Sequence, residues 1–196
     1  YDSPLEDAFA FNIVKYLKDE IRLEKQYEVK TICGRFVLDF LVESPQFGKI
    51  AFECDGKEFH EHSRDEWRDA MILGSTDLNT IYRLRGSDLT YHIADVLFII
   101  SNHTPDIFSS RGVANLKQLA SKEVLSRSYD LYDTIDLITF PSDDCQEMTR
   151  IFIERHHKNI KDGKRQFWQA AYKFASAEGG GNLNDIINKY RSQKWE

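Results

Sequence analysis

The sequence has few cysteines and none in a metal-binding or redox spacing. Three occur in 196 residues, Cys33, Cys54 and Cys145, and no pair forms a Cys-x-x-Cys motif. An odd and scattered set is untypical of a disulfide-stapled secreted domain or of a zinc cage. We therefore expect free thiols in a reducing compartment, where they act as small core residues.

Long hydrophobic runs are also missing. The best candidate, Val96–Ile100, is far shorter than the roughly 18 apolar residues that a membrane-spanning helix needs. Residues 1–4 have neither the basic segment nor the apolar segment of a secretory signal. We expect a soluble, cytoplasmic protein that does not insert into a membrane.

The chain has no excess of positive charge. It carries 26 Lys and Arg against 32 Asp and Glu, a net charge of −6. This balance argues against a protein that coats nucleic acid through bulk basicity. It is compatible with an enzyme in which a local basic patch contacts a few phosphates while an acidic pocket holds metal.

Apolar residues are plentiful enough for a proper core. Hydrophobic residues make up 41% of the sequence and aromatic residues 13%. A chain of this length is expected to form one domain, or one domain with a helical appendage.

Helical periodicity and turn residues divide the first half of the chain into helices and strands. Ser3 fits a helix N-cap, Pro4 the first helical position and Glu6 a capping box. The β-rich runs that follow are separated by turn residues, which predicts an antiparallel meander. The expected elements are a helix over 4–23, strands over 27–32, 36–42 and 49–55, a helix over 63–74, a strand over 79–85 and a helix from 87 or 88 to about 101.

The second half gives weaker patterns. We expect a helix near 112–127, a strand over 135–140, a helix from 142 to about 161, and a last pair of helices broken by Gly179–Gly181. The whole order predicts an α/β protein, with a mixed sheet flanked by helices.

Three carboxylates point to a metal site. Asp39 lies in the middle of an apolar strand, where a lone carboxylate costs several kcal/mol in lost hydration unless it is paired or binds a cation. Glu53 and Asp55 are two residues apart on the next strand and therefore leave the same face. Because neighbouring strands lie about 4.8 Å apart, Asp39 can come close to that pair. A divalent cation relieves the repulsion, and an all-oxygen ligand set favours Mg²⁺ or Mn²⁺.

These residues also have interpretations without a metal. Asp55-Gly56 is an ordinary turn signal, and Asp39 can pair with Arg22 or Arg35. From spacing alone, both interpretations stay open.

The motif as a whole resembles the PD-(D/E)XK nuclease superfamily, and within it the branch of the very-short-patch-repair endonucleases. The resemblance covers residues 3–89 and consists of Asp39, the run Glu53-Cys54-Asp55-Gly56, His60, an arginine-bearing helix and a strand that ends Tyr82-Arg-Leu-Arg85. It implies a restriction-endonuclease-like core of order α-β-β-β-α-β within residues 1–103. Residues 104–196 are then a mainly helical C-terminal extension.

The resemblance implies specific metal ligands. Asp39 would be the bridging ligand, Glu53 the second carboxylate and the backbone carbonyl of Cys54 a third ligand. Asp55 stands where many members have lysine, which is a departure from the family pattern. Lys57 is then either a displaced catalytic ammonium or a solvated turn residue.

Three further side chains are candidates near this site. Glu6 matches a helix-one glutamate that supports the metal cluster in the family, although the capping box explains it equally. In this branch of the superfamily, a histidine at the position of His60 can act as general base or orient the scissile phosphate, so the resemblance implies that role for His60, with His62 as a second candidate. Both histidines are also consistent with a polar surface loop.

Four arginines form a candidate nucleic-acid-binding patch. Arg64 and Arg68 are four residues apart on one helix face, and Arg83 and Arg85 share a strand face. The alternative is a set of solvated ion pairs with the acidic residues of the same helix, Asp65, Glu66 and Asp69.

We therefore expect a Mg²⁺-dependent endonuclease that hydrolyses phosphodiester bonds, with DNA as its partner and substrate. Asp39, Glu53 and Asp55 would carry catalysis together with His60 or Lys57. The rival hypotheses are a catalytically inactive nuclease-fold module, which binds nucleic acid or a protein partner within a larger machine, and an RNA nuclease.

Overall fold

Among the residues that the structure describes, a six-stranded sheet with helices on both faces forms the framework of the fold. The structure is a computed structural model, and it describes residues 3–56, 62–141, 150–161, 163–164 and 166–193. The strands are β1 (Glu24–Thr31), β2 (Gly34–Ser44), β3 (Gly48–Asp55), β4 (Leu78–Arg85), β5 (Ile135–Thr139) and β6 (Arg150–His157). The helices are α1 (Pro4–Ile13), α2 (His62–Ser75), α3 (Gly86–Tyr91), α4 (Ile93–His103), α5 (Ser110–Leu119), α6 (Lys122–Leu125), α7 (Phe167–Ala177) and α8 (Leu183–Gln193).

The sheet is mixed, and the predicted α/β class is confirmed. The strand order is β1-β2-β3-β4-β6-β5. The first three strands form the predicted antiparallel meander, whereas β4 runs parallel to β3 after the crossover through α2. Strand β6 pairs antiparallel with β4, and β5 closes the far edge.

Strand β2 changes the face to which it directs its side chains at Asp39. Phe36 and Leu38 pack on the side of α2, but Phe40 and Val42 pack on the opposite side. The paired residues of β2 and β3 run from Phe40↔Phe52 to Ser44↔Gly48, so Asp39 lies directly beyond the Phe40↔Phe52 pair. On β1 the residue opposite is Gln26, which has a positive φ of 51°. This irregularity in β1 and β2 moves Asp39 out of the regular side-chain alternation.

One face of the sheet is an apolar layer under α1 and α4. Phe9 of α1 contacts Phe40 and Phe52, and Phe52 stacks on Tyr82, with ring centroids 5.3–5.4 Å apart. Burial of each such side chain stabilises the fold by about 1.5–3 kcal/mol. This layer anchors β2, β3 and β4 beneath the charged groups that they carry on the other face.

Helix α1 is shorter than the sequence predicts. Ser3 caps it as expected, but the helix ends at Ile13 and not near residue 23. Beyond it, the backbone of Lys18 donates to Ile107 and that of Ser109 donates to Tyr16, both at 2.9 Å. These long-range hydrogen bonds replace the helical ones, which is why the apolar periodicity overestimates the length of the helix.

The other face of the sheet is covered by α2, α7 and α8. The indole of Trp67 on α2 meets Phe167, Phe174 and Tyr190 edge to face. Helices α2 and α7 approach so closely that a Cβ at Gly74 would lie 2.1 Å from the ring of Tyr172. The glycine therefore permits the close packing that fixes α2 above the sheet.

The prediction of a helix over 142–161 is wrong for residues 150–157, which form β6. Alternate residues of this strand, beginning at Ile151 and Ile153, are buried against the apolar layer, the period of a strand. Strand β5 and the helix pair α7 and α8 around Gly179–Gly181 agree with the prediction, whereas the expected helix over 112–127 is divided into α5 and α6. Within the described residues, no helix is long and apolar enough to cross a membrane.

Candidate metal centre

The three carboxylates singled out in the sequence lie where β2 and β3 separate. Oδ2 of Asp39 accepts a hydrogen bond from the backbone N–H of Cys54 at 2.8 Å, which ties the middle of β2 to the end of β3. Glu53 is 6% exposed, and Asp55 is the last residue of β3. Charge repulsion couples Asp39 to both Glu53 and Asp55. The fold therefore gathers acids from two strands at one end of the sheet.

Burial makes all three carboxylates harder to ionise. It raises the pKa of Glu53 to about 8, with Asp39 adding repulsion and Arg68 opposing the rise. Burial likewise raises the pKa of Asp39 and that of Asp55 above their ordinary values. The nearby cations thus leave this acidic set incompletely neutralised.

Arg68 reaches this site from α2. Its Nη2 donates to the carbonyl of Val37 at 2.7 Å and to Oε1 of Glu53 at 3.3 Å. Its guanidinium also lies 5.4 Å from the ring of Phe36. The short bond to Val37 fixes the position of Arg68, and the longer contact with Glu53 gives a weaker attraction.

Arg83 of β4 is buried as the centre of an ionic network. It binds Asp69 of α2 through two hydrogen bonds of 2.7 Å and donates to Oδ1 of Asp55 at 3.1 Å. Asp65 lies 3.9 Å from the same guanidinium. Arg83 is thus an internal counter-ion with its donors directed at protein carboxylates.

The network continues from Asp69 to β6. Nδ1 of His156 lies 2.8 Å from Asp69, its Nε2 lies 3.4 Å from Glu154, and His62 binds the other oxygen of Glu154. Although burial opposes it, the two carboxylates raise the pKa of His156 to about 9. Burial alone would raise the pKa of Asp69 and of Glu154 too, but their cationic partners lower both.

The remaining predicted residues lie around this network. Oε2 of Glu6 accepts from Gln26 at 3.0 Å, its backbone N–H donates to the Ser3 cap, and its charge adds to the pKa rise of Asp39. Arg64 donates to Asn184 of α8 at the surface, and Arg85 pairs with Asp88. Lys57 and His60 lie outside the described residues.

The donor chemistry of the site fits a hard divalent cation. Asp39 and Glu53 offer carboxylate oxygens, and Cys54 contributes a backbone carbonyl between Glu53 and Asp55, which is the ligand type that Mg²⁺ and Mn²⁺ prefer. The side chains are not arranged as a complete coordination sphere. Within the described ranges, no group of three or more His, Cys, Asp or Glu residues is spaced to hold a metal ion. Contacts from Arg68 and Arg83 engage Glu53 and Asp55 instead.

Sequence reasoning missed the residues that hold the network together. Asp69 is 1% exposed but looks like an ordinary charged residue of an amphipathic helix, and Glu154 and His156 lie in the strand predicted as helix. A usable signal was Arg83 itself, because it stands between Tyr82 and Leu84 in a buried strand. A buried arginine requires a buried carboxylate partner.

Comparison with protein-family models, with curated proteins and with solved structures gives no match.

Proposed function

We propose that the chain is a metal-dependent endonuclease of the PD-(D/E)XK type that acts on DNA. The observation that carries this proposal is the position of Asp39, in the middle of β2, beside Glu53 near the end of β3, with Asp39 anchored by the N–H of Cys54. The element order α1-β1-β2-β3-α2-β4 agrees with that of the family core. The unpaired thiols of Cys33 and Cys54 support the further proposal of a cytoplasmic location.

In this proposal, Asp39, Glu53 and the carbonyl of Cys54 hold Mg²⁺, and Glu6 supports the acidic set. The bound cation supplies Lewis acidity, which eases deprotonation of the attacking water and offsets charge on the phosphate. Arg68, fixed by its bond to Val37, provides positive charge beside the scissile phosphate. Asp55 is held by Arg83 and tunes the charge of the site. Lys57 and His60 are proposed to transfer the proton.

DNA would approach through the surface formed by α2 and α8. Arg64 of α2 and Arg191 of α8 line a small polar cavity of about 250 Å³ together with Asn184 and Asn188. Arginine and asparagine donors at such a surface suit contacts with phosphate oxygens. RNA is the alternative substrate, because phosphate contacts do not distinguish the two sugars.

A second candidate is a nuclease-fold module that binds without cleaving. The observation in its favour is that Arg68 and Arg83 already engage Glu53 and Asp55, so internal ion pairs take part of the charge that a cation would neutralise. Such a module would bind nucleic acid or a protein partner within a larger machine.

Cleavage assays separate the two candidates. Plasmid DNA, single-stranded DNA and RNA are incubated with the protein in Mg²⁺, in Mn²⁺ and in chelator. We expect metal-dependent cleavage that falls by at least about 10²–10³-fold in Asp39→Ala. The matched control is Asp77→Ala, which removes a 74% exposed carboxylate and should retain activity. Absence of metal-dependent cleavage, or equal cleavage by Asp39→Ala, would exclude the nuclease.

Metal binding is measurable independently of activity. A cation that binds only the folded state at about 100 times its dissociation constant stabilises that state by about 2.7 kcal/mol. For a chain of this size, that corresponds to a rise in Tm of about 5–10 °C. We expect Mn²⁺ to raise the Tm of the wild type and of Asp77→Ala but not that of Asp39→Ala. An equal rise in all three proteins would place the binding elsewhere.

A further inference from the structure

A second, larger cavity lies beside the candidate metal centre. It has a volume of about 550 Å³ and is lined by residues of the sheet, of α2 and of α7. Cavities of roughly 300–1,000 Å³ are typical of sites for small molecules and cofactors. We refer to it as the β6 cavity, because Phe152, Glu154 and His156 of that strand form its floor.

The β6 cavity and the metal centre belong to one row across the sheet. Glu53 of β3 pairs with Arg83 of β4, and Arg83 pairs with Glu154 of β6. Because adjacent strands lie about 4.8 Å apart, the backbone positions of Glu53 and Glu154 are about 10 Å from each other. In duplex DNA, successive bases of one strand rise by about 3.4 Å. A fully stretched single strand extends by about twice that distance, about 7 Å per nucleotide. A base one or two nucleotides from the scissile phosphate therefore comes within reach.

The walls of the cavity are aromatic and held in place. Phe152, Phe167 and Trp168 line it. The indole Nε1 of Trp168 donates to the carbonyl of His157 at 3.1 Å, and the ring of Phe167 packs edge to face on Trp67. Rings fixed in this way form a platform for a flat aromatic ligand without loss of side-chain entropy.

The polar lining of the cavity includes two carboxylates and the imidazoles of His62 and His156. Glu66 of α2 and Glu154 of β6 both line it. Glu154 binds His62 and His156, whereas no salt bridge within the described residues includes Glu66. The carboxylate of Glu66 is therefore open to hydrogen bonds from a ligand. The site suits a neutral ring whose edge carries hydrogen-bond donors.

We propose that the β6 cavity binds an unstacked nucleobase with donors on its Watson–Crick edge, guanine above all. The adjacent N–H groups of guanine match the two oxygens of one carboxylate, here Glu66, while the aromatic walls stack on the ring. The base belongs to the strand that is cleaved, and in this respect the inference rests on the proposed function. A free guanine nucleotide is the other source of the same chemistry.

Binding measured in chelator tests this site apart from cleavage. The probes are a fluorescent oligothymidine with one guanine, the same oligonucleotide with an abasic residue in that position, and guanosine monophosphate. Ile135→Trp fills the rim of the cavity from β5. Leu137→Trp is the matched control, because Leu137 is similarly exposed (44% against 51%) on the same strand but does not line the cavity. Glu66→Gln removes the carboxylate and keeps its shape.

We expect the guanine oligonucleotide to bind about tenfold more tightly than the abasic one. Ile135→Trp and Glu66→Gln should abolish this difference, and Leu137→Trp should retain it. If guanosine monophosphate binds with the same sensitivity to Ile135→Trp while the oligonucleotides do not differ, the cavity is a nucleotide site and the ligand is free.

The inference is overturned if no probe shows guanine-dependent binding, or if Ile135→Trp and Leu137→Trp behave alike. Metal-dependent cleavage without guanine-dependent binding removes this inference and leaves the proposed function. Guanine-dependent binding without cleavage removes the nuclease and leaves the cavity.

Discussion

Two sets of carboxylates lie between the sheet and α2, and their pKa values are shifted in opposite directions. The site acids Asp39, Glu53 and Asp55 have pKa values that burial raises. The network acids Asp69 and Glu154 are also buried, but their cationic partners lower their pKa values. The short hydrogen bonds of Arg83 and His156 are directed mainly at the network acids.

The difference shows where the protein lacks positive charge. The acids of the two sets outnumber the cations among them, Arg68, Arg83 and His156, and the excess is concentrated at the site acids. A folded protein rarely keeps uncompensated buried carboxylates without a use for them. This imbalance motivates the proposal of a cation.

The largest effect is expected when a network acid is removed. Asp69→Ala leaves the buried guanidinium of Arg83 without its two short hydrogen bonds, which should destabilise the fold by about 3–5 kcal/mol. Urea unfolding measures this loss, and expression as an unfolded chain would agree with it. The exposed Asp77→Ala should cost less than about 1 kcal/mol. If Asp69→Ala and Asp77→Ala had similar stabilities, the ion pair between Asp69 and Arg83 would not stabilise the fold, and the network acids would not differ from the site acids in this respect.

A site acid should behave in the opposite way. With its pKa raised to about 8, Glu53 takes up a proton on folding between about pH 4.5 and 8, so its contribution to stability falls as the pH rises through that range. In chelator at pH 8, Glu53→Gln should therefore be more stable than the wild type by about 3 kcal/mol. The gain should vanish near pH 4.

Unfolding curves over this pH range measure the difference, with Glu43→Gln as control, since Glu43 is an exposed glutamate of β2. A Glu53→Gln protein less stable than the wild type at pH 8 would contradict the contrast between the two sets. It would mean that Arg68 compensates Glu53 fully.

Deprotonation of His156, a cation of the network, should lower the stability of the fold by a smaller amount, and at alkaline pH. The pKa of His156 is raised to about 9, so the stability that it adds is complete below about pH 6.5 and is lost as the pH rises through 9. We expect a loss of about 2 kcal/mol over this range in urea unfolding. His156→Gln should flatten the curve. His157→Gln should retain the loss, because burial lowers the pKa of His157 to about 4 and keeps this imidazole neutral throughout.

Part of this arrangement could be predicted from the sequence. Asp39 stood out because a carboxylate within an apolar strand demands compensation, and Glu53 and Asp55 followed from the two-residue period of a strand. The meander, the crossover helix and β4 were predicted because their patterns are local. The metal interpretation itself remains a prediction.

The rest depends on contacts that no local pattern contains. Helix α1 stops early because Tyr16 and Lys18 bond to a segment some 90 residues later in the chain, around Ile107. Strand β6 was mistaken for a helix because Arg155 looks like a surface residue. In the fold it is buried and donates to the carbonyls of Leu131 and Asp133, both at 2.7 Å.

The smallest effect is expected at the rim of the network. His62 binds Glu154, but its side chain is 70% exposed, so solvent screens the pair. His62→Ala should cost less than about 1 kcal/mol in urea unfolding and leave the alkaline loss due to His156 intact. A loss as large as that of Asp69→Ala would show that the network depends on its exposed end. The charges of the network acids would then be neutralised by an exposed side chain and not by buried cations. In that case the contrast with the buried site acids would no longer hold.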